Sequence, residues 1–250
     1  METLSRPAED TQFTCPEPIK IQDQQVEDFY NDLLRGLTHK LNNLYAVVQG
    51  FSSLIMMNED LDESVQENIH HMREAAQNAS NLMEKILTVG GCSKAGAQTI
   101  RLDDYMSMVG PGLKQPLEEA GVQLVWNVSS DLPNITADPT RFKEVLTELL
   151  KNAAEAASES GGQVILDIAP SRQPSTDGTK RVDVMITNTG SEIDPAKLKD
   201  CFRPFFTTKS SEHAGIGLTT ASVLANQMNM PLSVRSGDNK VTFWLSCPEG

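Results

Sequence analysis

No stretch of this 250-residue chain approaches the about 18 consecutive apolar residues that a membrane-spanning helix needs. The first residues, Met1 to Pro18, mix acids, prolines and polar side chains without an apolar core, so no secretory leader is expected. Cysteine is scarce. Cys15, Cys92, Cys201 and Cys247 are scattered without CxxC or zinc-type spacing, which suits free thiols in a reducing cytoplasm. Basic residues are also few: 21 Lys and Arg against 34 Asp and Glu leave a net charge of −13, which excludes a general nucleic-acid binder. There is no internal repeat. What remains, 39% hydrophobic and 22% charged residues, is the composition of an ordinary globular protein with room for one or two cored domains.

Residues 1–23 carry Pro7, Pro16 and Pro18 with little periodicity and are expected to be a disordered tail. Apolar residues then recur at three-four spacing (Val26, Phe29, Tyr30, Leu33, Leu34, Leu37, Leu41, Leu44, Val48, Leu54, Ile55), which predicts a buried helix stripe to about Met57. Asp62 is placed to cap a second helix, Glu63 to about Val89, with Val65, Ile69, Met72, Ala76, Leu82, Met83 and Ile86 inward. One such hairpin, residues 24–90, cannot cover both stripes, so a dimeric four-helix bundle is expected. A Gly/Ser/Ala-rich linker, 91–98, leads into a mixed region, 99–250. Strands are predicted near 99–102, 122–128, 163–169, 181–187, 231–236 and 240–246, and helices near 103–120, 138–158 and 216–229, with a polar loop over 171–179. The fold class is α+β: the hairpin, then a sandwich with helices on one face of a mixed sheet.

Three groups of residues carry chemistry. His39 lies off the apolar stripe, with Asn43 one turn further along the same exposed face, a pairing that packing does not require. On the helix after Asp138-Pro139, Leu146, Leu149, Leu150 and Ala153 supply a core stripe and leave Glu148 and Asn152 one turn apart. A carboxylate and an amide oxygen so placed suit a hydrated Mg²⁺. Gly215 and Gly217 stand just before a helix, where backbone amides can approach a polyphosphate, and Thr208 and Lys209 can add polar contacts. Alone, each group is also what a solvated helix face or a glycine-capped loop would give. His70-His71, Lys151, Trp126 and Trp244 read as surface or core residues, and the methionines as gap fillers.

In their order, these groups resemble the transmitter core of two-component sensor histidine kinases, over roughly residues 24–247. His39 with Asn42-Asn43 is similar to the H box, and Glu148 to Ala156 to the N box. Thr187 to Ile193 is similar to the first Gly-rich box, Phe202 to Lys209 to the phenylalanine box, and Gly215-Ile216-Gly217-Leu218 to the second Gly-rich box. The resemblance implies a dimerisation and histidine-phosphotransfer bundle followed by a GHKL-type ATP-binding domain. It implies phosphate exchange between His39 and a response-regulator receiver domain. It further implies ATP and Mg²⁺ as cofactors, with Asn152 the metal ligand and Glu148, Asn188, Gly190, Thr208, Lys209, Gly215 and Gly217 around the nucleotide.

The chain departs from that pattern at three sites. Lys40 stands where the family usually has an acid next to the histidine, and an ammonium has no lone pair with which to take a proton. Asn188 replaces the usual Asp that accepts from adenine, and Glu192 replaces a glycine where the nucleotide approaches. In the second box His213-Ala214 replace Gly-Thr. Asn43, by contrast, fits the amide that the family associates with receiver dephosphorylation, where it positions a water in line with an aspartyl phosphate. The catalytic set is therefore His39, Lys40 and Asn43, in a cytoplasmic homodimer biased to phosphatase or phosphotransfer action with weak autokinase. The alternatives are a fully active ATP-dependent autokinase and a non-catalytic dimeric docking scaffold. The stimulus would enter through the tail, a separate sensor protein or the partner.

Overall fold

The computed structural model describes residues 14, 24–57, 61–90, 96–171, 180–207 and 214–250, with side chains of the first helix from Tyr30 onward. The chain divides into two compact units, Ile19–Lys94 and Ala95–Gly250 with Met1–Pro18.

The smaller unit is a pair of helices, α1 (Gln24–Met56) and α2 (Glu63–Val89). They run antiparallel: Ser80 Oγ donates to Asn42 Oδ1 (3.2 Å) and Gln49 Nε2 to Gln77 Oε1 (3.0 Å). Asp62 caps α2 by accepting from the Ser64 amide at 3.2 Å. The apolar residues of α1 form two stripes rather than the single buried one expected. Leu34, Leu41, Tyr45 and Val48 are half-buried and share a face with buried Thr38 and Ser52, whereas Tyr30, Leu33, Leu37, Leu44, Val47, Phe51 and Leu54 are exposed. A helix packed against one partner hides about one face in three, and the second stripe lies beyond that face. On α2, Ile69 and Ala76 are buried, while Val65 and Met72 of the expected inner face are exposed.

The larger unit is an α+β sandwich. Its sheet has the order β2 (Gln123–Val128), β4 (Gln163–Pro170), β5 (Arg181–Thr189), β7 (Lys240–Pro248), β6 (Leu232–Gly237). β2 and β4 are parallel and the other neighbours antiparallel, so the sheet is mixed. A two-stranded ribbon joins β1 (Gln98–Ile100) to β3 (Ile135–Ala137), a strand too short to have been expected. The helices α3 (Leu102–Glu119), α4 (Pro139–Ser160) and α5 (Gly217–Gln227) pack on the alternate residues Val164, Leu166, Ile168, Val182, Val184, Ile186, Val241, Phe243 and Leu245, all buried. Trp126 and Trp244 are half-buried rather than core, and the Lys114 ammonium sits 4.7 Å from the Trp126 ring centroid.

β6 is an edge strand, and its edge is paired at Val234. There Thr14 exchanges two 2.9 Å backbone hydrogen bonds with it, so extended pairing occurs at one point of the segment expected to be disordered. The rest of residues 1–23, the linker part 91–95 and the loop part 172–179 lie outside the described residues. Cys201 and Cys247 are free and buried; Cys15 and Cys92 are not among the described residues. Burial, with help from Asp200, pushes the Cys201 thiol up to about 12.

Candidate functional site

In the helical unit, His39, Lys40 and Asn43 are all exposed on α1. The Asn43 amide nitrogen lies 3.4 Å from His39 Nδ1, as helical spacing of four residues requires. The imidazole is thus open to solvent on its free edge and flanked by a carboxamide. Lys40 points from the same exposed side of the helix, continuing the outward stripe between Leu37 and Leu44. On α2, His70 and His71 are exposed and lie 3.6 to 3.9 Å from Glu67 and Glu74. Those contacts are within one helix face and bring in no third element.

In the sandwich, α4 is the scaffold. Asp138 starts it: Oδ1 accepts from the Thr140 and Arg141 amides (3.0 and 3.2 Å), while Oδ2 accepts from the Gly96 amide (2.8 Å). Pro139 at the first helical position fits the missing amide donor there. Burial raises the Asp138 carboxyl, but the three N–H donors and the Arg141 charge outweigh it and hold it below the usual value. Buried Arg141 also donates to Gln227, joining α4 to the end of α5.

Two turns further along, Leu146, Leu149, Leu150 and Ala153 enter the core as expected. Glu148 is not on a solvated face: it is 93% buried, its carboxylate set against the start of α5. A Cβ built on Gly217 would lie 2.5 Å from Glu148 Oε2 and 3.6 Å from Asn152 Nδ2. Any other residue at 217 would require the Glu148 carboxylate to move. Asn152 Nδ2 donates to the Glu148 carbonyl at 2.8 Å, which leaves Oδ1 as the atom to offer a cation. Gly215, at φ +63°, packs where a Cβ would meet the Phe206 carbonyl oxygen at 2.7 Å. The chain is therefore pinched between Phe206 and Gly215. Thr208, Lys209 and His213, between these points, lie outside the described residues. Phe202 anchors the phenylalanine segment, edge-on to Phe243 at 6.4 Å, and its carbonyl accepts from Thr219 Oγ1 at 3.0 Å. Phe205 is exposed and adopts φ +63°, a conformation costly for an aromatic residue.

Asn188 and Gly190 sit toward the other end of α4. Asn188 is buried on the helix-facing side of β5 and donates from Nδ2 to Ser191 Oγ at 2.8 Å. Gly190, at φ +91°, lies where a Cβ would meet Ser160 Oγ at 2.5 Å. Ser160 is eight residues beyond Asn152, roughly 12 Å along the helix axis. The glycines thus form two separate close approaches, one at each end of the second half of α4. The Glu192 carboxylate accepts from the Asn239 amide at 2.5 Å, on the β6–β7 turn. The roles of Ser160, Ser236 and Asn239 escaped the sequence reading, because they act through tertiary hydrogen bonds that no spacing announces.

The glycines let the start of α5 lie close against its neighbours, and the Glu148 and Asn152 side-chain oxygens beside it are of the kind a hard cation prefers. Among the described residues no group of three or more His, Cys, Asp or Glu is placed to hold a metal on its own. A cation here would share its shell with water and ligand oxygens, the usual habit of Mg²⁺.

Residues 137–250 match the family described as histidine kinase-, DNA gyrase B-, and HSP90-like ATPase. Over 216 residues the chain is 26% identical to the sensor histidine kinase ZraS of Salmonella typhimurium, covering 85% of this chain and 45% of that protein. Over 236 residues it is 27% identical to the signal transduction histidine-protein kinase BarA of Escherichia coli K12, covering 89% and 25%. The chain therefore spans less than half the length of these relatives. Among solved structures, full-length ShkA in complex with AMPPNP aligns with TM-score 0.74 at 23% identity, covering 88% of this chain and 46% of that one. Histidine kinase ThkA in complex with the response regulator TrrA aligns with TM-score 0.59 at 18% identity, covering 92% and 68%. Both likenesses concern the fold.

Proposed function

We propose that this chain is a histidine kinase transmitter core, with residues 137–250 its GHKL-type ATPase domain, and that it exchanges a phosphoryl group between His39 and a receiver-domain aspartate. The observation that carries this reading is the exposed His39–Asn43 pair on α1, 3.4 Å apart, in a chain that also holds an ATPase domain. An exposed imidazole can take and return a phosphoryl group. The carboxamide one turn away can orient a water toward an aspartyl phosphate docked beside it, a positioning effect rather than acid–base chemistry. The 24–90 hairpin is then the phosphotransfer element, and a homodimer covers the outward stripe of Leu33, Leu37, Leu44, Phe51 and Leu54.

ATP is the expected nucleotide, with Gly215, Gly217 and the α5 start at its phosphates and Asn188 and Gly190 at the far end; Thr208 and Lys209 are added from the sequence alone. Asn152 would offer Oδ1 to Mg²⁺, with Glu148 beside it. When bound, the pair supplies a transferable phosphoryl group with its charge partly neutralised. Net activity leans toward dephosphorylation or phosphotransfer, because Lys40 cannot accept the imidazole proton and Asn188 brings no charge to the base. Supporting the partner assignment, the structural neighbour ThkA is seen with a response regulator. Among the described residues no helix is long and apolar enough to cross a membrane, and a cytoplasmic place is proposed on the cysteine usage.

Incubation with Mg²⁺ and γ-labelled ATP, beside His39→Ala, tests the reading. Little acid-labile label, combined with fast loss of phosphate from a phosphorylated receiver, is expected. Strong label on the wild type alone would instead favour a fully active autokinase, and no phosphate exchange in either direction would leave only a scaffold.

A further inference from the structure

We infer that Glu192 is a positioning residue for the nucleotide site, a latch that holds the first Gly-rich segment against the β6–β7 turn; this rests on the ATP-binding reading above. The turn is a two-residue connection in which Asp238 and Asn239 both adopt left-handed conformations, at φ 56° and 57°, while Gly237 pairs with Lys240. A turn of that kind leaves the amide and carbonyl of its second residue facing sideways, unused by the ladder. Both are taken up by the Gly-rich segment. The Asn239 carbonyl accepts from the Gly190 amide at 2.9 Å, and the Asn239 amide donates to the Glu192 carboxylate at 2.5 Å. A third bond, from the Ile193 amide to Ser236 Oγ at 2.8 Å, fixes the segment one residue further on.

Residues 190–193 are thereby tied at three points to one hairpin, and Asn188 is tied to Ser191 at 2.8 Å within the same segment. The Glu192 carboxylate and the Gly190 amide are thus held on the same turn residue, Asn239. A loop ordered before binding loses less conformational freedom when a ligand arrives, so the latch favours affinity. A glycine at 192 would give the segment more freedom and no acceptor for the Asn239 amide. The side chain that breaks the family pattern thus replaces glycine's function of close approach with an anchoring one.

Calorimetric titration of the whole chain with Mg²⁺–AMPPNP compares the wild type, Glu192→Gly and Glu192→Gln. Glu192→Gly is expected to weaken binding roughly three- to tenfold, the loss of one exposed charge-assisted hydrogen bond with its ordering effect. Glu192→Gln keeps an oxygen acceptor for the Asn239 amide and is expected within about twofold of the wild type. Equal or tighter binding by Glu192→Gly overturns the latch and restores the residue as an obstruction. Weakening by Glu192→Gln as large as by Glu192→Gly overturns the hydrogen bond as its basis. No binding by the wild type overturns the ATP-binding reading itself, and the positioning role with it.

Discussion

Gly217 begins α5 so near the Glu148 carboxylate that a single added carbon would stand 2.5 Å from Oε2. The contact is made with the end of the Glu148 side chain, which is 7% exposed and must turn within packed surroundings to give way. Gly217→Ala is therefore expected to push the α5 start off α4, destabilising the domain by about 1–3 kcal/mol in the manner of overpacked cores. Adding Glu148→Ala should return much of that loss in the double variant, because the clash has one specific partner. Thermal unfolding of the four proteins checks this, and strictly additive losses would contradict the steric account.

Asn43 and His39 are coupled by position but separable by chemistry. Asn43→Ala removes the carboxamide 3.4 Å from the imidazole and touches no buried group. Receiver dephosphorylation is expected to fall at least about tenfold, the scale of losing a positioning group, while His39 still accepts phosphate. His39→Ala abolishes the acid-labile phosphate altogether. The decay of a phosphorylated receiver, followed with each variant, separates the two.

Much of this was legible because long-period patterns survive folding. The three-four spacing of α1 and α2, the Asp62 and Asp138 caps and the alternation in β4 through β7 are local signals, and each element formed close to its expected bounds. Periodicity could not say which partner a stripe meets, so Leu33 and Leu37 read as buried and Glu148 as one part of a polar face. β3 was missed because three residues are too few to show an alternation. Glu192 makes a contact that no spacing could announce. Its neighbour, Asn239, lies 47 residues away in sequence and is brought near only by the β5–β7 pairing.

Asp138 makes the stability of the sandwich sensitive to acid. Its folded carboxyl is held below the ordinary value, since the donors from Gly96, Arg141 and Thr140 outweigh burial. As pH falls, the unfolded chain takes up that proton first. The contribution is therefore fully present above the usual carboxylate range and is lost as pH drops through the lower, folded value. Asp138→Ala removes both the cap and the Gly96 bond and is expected to cost about 1–2 kcal/mol at neutral pH, with a smaller cost in strong acid. Denaturant unfolding at a series of pH values measures the difference, and a cost independent of pH would contradict the assignment.

Lys40 lies in register with the exposed apolar residues of α1. Tyr30, Leu33, Leu37, Leu44, Val47, Phe51 and Leu54 follow an alternating spacing of three and four, and position 40 fills the one gap between Leu37 and Leu44. If this stripe is the seam of a homodimer, each lysine interrupts it with a charge that must reach out to water. A lone polar residue in such a seam fixes register and oligomeric state at a cost in stability. Lys40→Leu completes the seam and is expected to tighten self-association at least tenfold, about 1.4 kcal/mol. Phe51→Asp, which places a carboxylate in the same stripe, is expected to shift the protein to monomer. Sedimentation equilibrium reads both, and an association constant unmoved by either change would place the partner of this stripe elsewhere. In the proposed reading Lys40 therefore has two separable consequences: a proton acceptor would be missing beside His39, which Lys40→Glu would supply, and in a homodimer a charge would interrupt the seam, which Lys40→Leu would remove.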